Sequence, residues 1–481
     1  MRAVMSYLDF DLLIRRTESG YRAQVLFSPA GEASVDFTVP LSKLELENFV
    51  LRVGRRRRNT RRRDSPEMEA IRSVGGRLYE AIFSGGVRDC LASSLSKAEM
   101  RNAGLRLRLH ISDTPELNDY PWEYLYNASG NRFLSLSEYT PLIRYLNLPQ
   151  RIRPLTIDAP LAILVMISSP SDHVDLDVEA EWEQLNKALA GLTDSGQVRV
   201  KRLVKPSLAE LQRELRAGAY HVLHFVGHGE FDLGTEEGGL VLCDETGRGR
   251  VVTGERLGTI LHDHRSLRLV VLNACEGARS SPTDPFAGVA QTLVQQGIPA
   301  VIAMQFEITD QAAIIFAREF YAATSDGYPV DAALTAARKA IYAEENDTEW
   351  GTPVLFLRAP NGRLFSVNPD ALKQAEEKRR VDAARQAEAE MRRATSARLE
   401  EDRQQGAPLA FASRPESVGD MAGQSSAPPI VVILASDLSD VQAALAASGL
   451  SLGRSAQALL LGDRMATGNL RRWEMNSKAP Q

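Results

Sequence analysis

Six short apolar runs recur between residues 161 and 358: LAILVMIS (161–168), VRVKRLV (198–204), YHVLHFVG (220–227), LRLVVLNA (267–274), IPAVIAMQF (298–306) and TPVLFLR (352–358). Most of them lack the polar alternation of a strand with one wet face, so they must be buried on both faces. Stretches of helical periodicity at 178–192, 208–217, 285–296, 310–324 and 330–343 lie between them. Strands joined by helices pack in only one common way, as a parallel sheet with helices on each side. The pattern predicts an α/β core at 159–367 with a doubly wound, mostly parallel, six-stranded sheet.

The flanks read differently. Residues 5–40 alternate apolar and polar side chains in DFDLLIRR, GYRAQVLFS and EASVDFTVP, as a strand meander does. Helical periods follow at 68–83 and 87–103, then a strand-like LRLRLHI at 105–111. Residues 1–158 are therefore expected to form an α+β unit. After the core, 368–428 reads as a charged helix and a Gly/Ser/Pro-rich linker, and 429–481 as a small module opening on the strand IVVILA.

Lys and Arg number 57 against 62 Asp and Glu, a net charge of −5 that excludes a surface built to coat nucleic acid. The run LRVGRRRRNTRRR, with the arginines Arg55 to Arg63, reads as a solvated loop or as a local contact for nucleic acid or an acidic partner. The three cysteines, Cys90, Cys243 and Cys275, exclude a disulfide framework and a C-x-x-C zinc site. The first twenty residues carry charge where a signal peptide needs an apolar stretch, and nowhere do eighteen apolar residues run together. A cytoplasmic location without a membrane span is expected.

In an open parallel sheet the ligand crevice lies outside the carboxyl ends of the strands. Those ends read SSPSD (168–172), GHGEF (227–231), NACEG (273–277) and QFEITD (305–310). They bring a histidine, His228, and a cysteine, Cys275, to one edge. A thiol becomes a strong nucleophile on losing its proton, and an imidazole within reach accepts that proton and returns it to a leaving amine. Taken singly, a cysteine ending an apolar strand is a core residue. The pair is a different matter: His228 precedes Cys275 by 47 positions, near the spacing of the caspase signature Q-A-C-[RQG]-G and its upstream histidine. Gly229 leaves the backbone open beside His228, so its N–H and that of Cys275 are candidates for an oxyanion hole.

Three competing motifs fall away. GLSLG (449–453) has the letters of a serine nucleophile elbow, but no histidine follows it. His224 and His228 share one face of a strand and His221 the other, a poor chelating geometry, so no metal is expected. GRGRVVTG (247–254) lacks phosphate-loop spacing and reads as a hairpin turn.

VLHFVGHGEFD, LRLVVLNACEGARSS, DPFAGVAQTLVQQGIPAVIAMQFEITD and EWGTPVLFLRAP resemble the CHAT family, relatives of caspases and separases. The likeness extends upstream to LRLRLHISDTPELNDYPWEYLYN and RFLSLSEYTPLIRYL. It departs from the caspase string at Glu276, and the tetratricopeptide repeats that often accompany the domain are missing. The resemblance implies a caspase-like fold and a cysteine endopeptidase with a His228/Cys275 dyad, no cofactor, a protein substrate and a regulatory or sensor partner. The alternative is a catalytically silent scaffold of the same fold. The strand-end carboxylates Asp172, Glu276, Glu307 and Asp310 outnumber the nearby Arg279. They predict an electronegative S1 pocket for a basic P1 residue, with Glu307 and Asp310 as preferred candidates and Asp172 beside them.

Overall fold

The computed structural model describes residues 6–53, 66–149, 152–158, 160–232, 237–279, 285–344 and 348–367. The chain divides into two units, Met1–Ala394 and Thr395–Gln481, and only the first holds described residues. The charged helix, linker and terminal module expected over 368–481 lie outside them, as do Arg55 to Arg63.

The chain opens with an antiparallel meander, β1 (Tyr7–Thr17), β2 (Gly20–Phe27) and β3 (Ala33–Phe37). Helices α1 (Lys43–Val53), α2 (Pro66–Ile82) and α3 (Gly85–Met100) follow. Next come β4 (Gly104–His110), the two-residue strands β5 (Tyr126–Asn127) and β6 (Arg132–Phe133), β7 (Leu142–Tyr145) and β8 (Leu155–Ile157). Helix α1 corrects the loop reading of the basic run, because residues 51–53 form its last turn. A capping box starts it: Glu45 accepts from the Ser42 backbone N–H at 2.8 Å while the Ser42 hydroxyl accepts from the Glu45 N–H. Phe49 and Val53 then bury its inner face.

The core runs β9 (Leu161–Ser168), α4 (Val178–Asp194), β10 (Val198–Arg202), α5 (Leu208–Ala217), β11 (Val222–Asp232), β12 (Glu237–Cys243), β13 (Gly249–Thr253) and α6 (Gly254–Leu261). It continues with β14 (Leu269–Arg279), α7 (Pro285–Gln295), β15 (Ala300–Met304), α8 (Asp310–Ser325), α9 (Val330–Ala343), β16 (Pro353–Leu357) and β17 (Phe365–Val367). All six expected strands form, in the order β10-β9-β11-β14-β15-β16. Neighbours are parallel except β16, which runs antiparallel to β15. Every residue of β9 is buried, as its unbroken apolar run requires. The helices lie on both faces: α4, α8 and α9 contribute Leu189, Phe316 and Ala337 to one apolar cluster, and α5, α6 and α7 contribute Leu211, Leu257 and Leu293 to the other. Side-chain caps set several helix starts, with Asp177, Ser207 and Thr309 accepting from the N–H three residues on.

The sheet does not stop at residue 158. Strand β16 pairs on its far side with β7, and the order continues β7-β4-β1-β2-β3. In β4 the leucines of LRLRLH enter the apolar cluster and the arginines meet carboxylates. Arg106 pairs with Asp331 of α9 and with Asp9, and Arg108 with Asp9 and Asp11. Both also donate to backbone carbonyls of the turn before β17, those of Asn361 and Pro360. Among the described residues no helix is long and apolar enough to cross a membrane.

Candidate active site

Strands β11 and β14 are parallel neighbours, registered from Val222 opposite Leu269 to Gly227 opposite Ala274. His228 and Cys275 are therefore the next residue on each strand. There the ladder slips, and the next partners are Gly229 and Arg279, so four residues of β14, 275–278, stand against His228 alone. A bulge of this kind lifts backbone out of the sheet plane at a sheet's working edge. The side chain of Cys275 lies outside the described residues.

The expected end of β11 at Gly227 needs correction. The strand continues to Asp232 and pairs antiparallel with β12, which pairs in turn with β13. Gly227 makes this possible by close approach, since a Cβ there would stand 2.8 Å from the carbonyl oxygen of Ser168. Gly229 is buried within the strand, opposite Leu240 of β12. Of GRGRVVTG only the first residues form the expected turn, where Gly247 adopts φ +83°; Gly249–Thr253 is strand β13 and Gly254 opens α6.

His228 is 4% exposed, and its Nε2 lies 2.8 Å from the carbonyl oxygen of Val174. A carbonyl cannot donate, so Nε2 carries a proton, and in the neutral ring the lone pair then lies on Nδ1. The loop supplying that carbonyl leaves β9 and is tied down at several points. Ser171 N–H donates to Gly247 O at 3.0 Å, the Ser169 hydroxyl accepts from Leu176 N–H at 3.0 Å, and Asp172 accepts from Gly249 N–H at 2.7 Å. His173 lies beside His228, ring centres 5.6 Å apart. Its Nδ1 faces Asp172 and its Nε2 faces Glu230, each at 3.0 Å. Partial burial works against charge on His173, but those two hydrogen bonds outweigh it and raise its pKa above the ordinary imidazole value. Gly249 admits this ring, because a Cβ there would lie 2.3 Å from His173 Cε1.

His224 within β11 and His221 just before it face different neighbours. His224 Nδ1 meets the Tyr321 hydroxyl at 2.7 Å, and burial pushes its pKa down to about 4. His221 Nδ1 accepts from Ala162 N–H at 2.9 Å and is also pushed down by burial to about 4.

Of the S1 candidates, Asp172 is built into the loop that meets the β12–β13 hairpin, touching His173, Gly249 and, at 3.7 Å, Arg248. Glu307 is half-buried between Phe306 and Ile308, both of which enter the core. Asp310 is the first residue of α8, exposed, and accepts from Gln184 at 3.4 Å. Glu276 and Arg279 lie in β14 with side chains outside the described residues. Reasoning from sequence missed His173, Val174 and Glu230. One signal was present: Glu230 stands two residues beyond His228 and so shares its strand face.

Residues 72–380 match the family model of the CHAT domain. The chain belongs to the CHAT family. The match begins inside α2, so the CHAT region takes in β4 and β7 as well as the six-stranded core. No curated protein matches this CHAT chain. Among solved structures it is similar to the Saccharomyces cerevisiae separase–securin complex, at 13% identity and a TM-score of 0.30, over 61% of this chain. That likeness spans 19% of the separase chain. It is also similar to the Arg-specific cysteine proteinase gingipain R, at 14% identity and a TM-score of 0.32, over 66% of this chain and 75% of that one. The complex of the Porphyromonas gingivalis pro- and mature domains gives 11% identity and a TM-score of 0.31, over 67% and 77%.

Proposed function

We propose that the protein is a cysteine endopeptidase in which Cys275 is the nucleophile and His228 moves the proton. The observation that carries this reading is the hydrogen bond from His228 Nε2–H to Val174 O, which leaves Nδ1 as a base on the strand beside β14, one residue past the last registered pair. The thiol proton passes to Nδ1 and the thiolate adds to the scissile carbonyl carbon. The resulting oxyanion is met by the N–H groups of Gly229 and Cys275. On collapse His228 returns its proton to the departing amine, leaving a thioester. Water then attacks the thioester, giving one proton to His228, which passes it back to the thiolate as the acid leaves. No cofactor enters these steps.

Among the strand-end carboxylates, Asp310 is exposed, accepts from Gln184 and is not bound into the hairpin. With Glu307 it supports a preference for a basic P1 side chain. Regulation by a protein partner or signal belongs to the same reading. A thiol-directed peptide probe tests it. Labelling confined to Cys275, and absent after His228→Ala, is the expected result. Labelling of Cys90 or Cys243 instead would favour a silent scaffold.

A further inference from the structure

At the end of the sheet opposite His228, where β14 and β15 begin and β16 finishes, there is a cavity of about 460 Å³. Its lining includes Arg153, Arg265, Arg268, Arg358, His262 and His264, and no carboxylate among the described residues lines it. Asp263, which pairs with His262 at 3.2 Å, has a side chain 82% exposed and is not part of the lining.

The fold treats its buried arginines in two ways: Arg338 donates to a backbone carbonyl, that of Pro353, and others pair with carboxylates. Arg106, Arg108 and Arg144 each meet a carboxylate within 3.2 Å. Arg268 meets none: its Nε is sealed from solvent without an acceptor, and desolvation alone pulls its pKa below the ordinary arginine value. Arg358 is 5% exposed and donates to Val294 O at the end of α7, at 3.3 Å. The carboxyl ends of α6 and α7 reach the cavity through His262 and Gly297. Two helix ends supply only about one negative charge between them, against the guanidinium groups of Arg153, Arg265 and Arg268. The cavity therefore holds an excess of roughly two positive charges, and the Nε–H of Arg268 is without an acceptor.

We propose that this cavity is a binding site for a small molecule carrying two or more linked phosphates. Guanidinium groups match phosphate oxygens in charge and in planar, two-pronged geometry. A volume near 460 Å³ suits a nucleotide-sized ligand and far exceeds a single phosphate. The site lies about 20 Å along β14 from the position of Cys275, at roughly 3.3 Å per residue, and does not depend on the peptidase reading.

Calorimetric titration of the full-length protein tests the assignment with orthophosphate, tripolyphosphate and ATP. Tripolyphosphate is expected to bind at one site per chain, at least tenfold tighter than orthophosphate. Arg268→Gln and Arg265→Glu should each weaken it at least fivefold. Position 265 is exposed, so the second variant keeps the test valid if the first loses its fold. Replacing Arg55, Arg56, Arg57 and Arg58 by Gln should leave binding unchanged. ATP binding more tightly than tripolyphosphate would identify a nucleotide; equal or weaker binding would identify a bare polyphosphate chain. Absence of saturable binding, binding untouched by both cavity variants, or loss of binding in the Arg55–Arg58 replacement would overturn the proposal.

Discussion

His228 Nε2 donates to the carbonyl oxygen of Val174 at 2.8 Å, so a loop from β9 fixes the tautomer of a histidine on β11. The proposed peptidase needs that histidine and Cys275 together. His228→Ala and Cys275→Ala are each expected to lower kcat/KM on a cleaved peptide by at least about 10³, with circular dichroism unchanged. Wild-type turnover by Cys275→Ala would end the peptidase reading.

His173 makes the loop's attachment pH-dependent. Its folded pKa is raised by Asp172 and Glu230, so its contribution to stability is fully present below the unfolded imidazole value of about 6.5. That contribution disappears as pH rises through the folded value. Asp172 is shifted the opposite way and loses its contribution only in acid, which sets the useful range above about pH 5. The difference in thermal midpoint between wild type and His173→Gln is expected to be largest near pH 5.5 and to shrink by pH 9. A difference independent of pH would show that the ring acts by packing alone.

Arg144 of β7 and Glu123 form a buried pair at 2.9 Å, and Glu123 also accepts from Gln305 at the end of β15. Removing one partner strands a charge, so Arg144→Met should cost about 3–5 kcal/mol in urea unfolding. The double variant Arg144→Met/Glu123→Leu should regain much of that loss. A single-variant cost under about 1 kcal/mol would contradict the burial argument.

β17 pairs with β8, and Phe365 is 5% exposed. A chain ending at Asn368 is expected to keep the thermal midpoint of the described unit, whereas one ending at Arg363 should lose several degrees. Failure of the longer chain to fold would place part of 369–481 in the fold itself.

If Asp310 and Glu307 shape S1, a positional peptide library should show a basic P1 residue. Asp310→Asn and Glu307→Gln should then lower kcat/KM for that residue about tenfold. A preference for P1 Asp would reverse the assignment.

Six apolar runs announced six strands because burial on both faces leaves no alternative pattern, and the register that brings His228 and Cys275 to adjacent strands follows from them. Less of the surroundings was legible. Gly227 looked like a strand end, but its missing side chain lets β11 pass Ser168 and continue into a hairpin. Arg106 and Arg108 alternate with leucines as solvated residues would, and only Asp331, far along the chain, shows why Arg106 is buried. His173 had no periodicity to mark it. Its role arises from a loop meeting a hairpin, a contact that local sequence does not encode.

The place of β16 has a consequence for synthesis. Residues 353–357 leave the ribosome after every other strand of the main sheet, yet they sit in its middle, joined to β15 on one side and β7 on the other. Until they emerge, the nascent chain holds two partial sheets with facing open edges, the kind of surface chaperones shield and aggregates recruit. A ribosome stalled before Pro353 therefore displays two incomplete halves, and the addition of five residues allows them to close into one sheet.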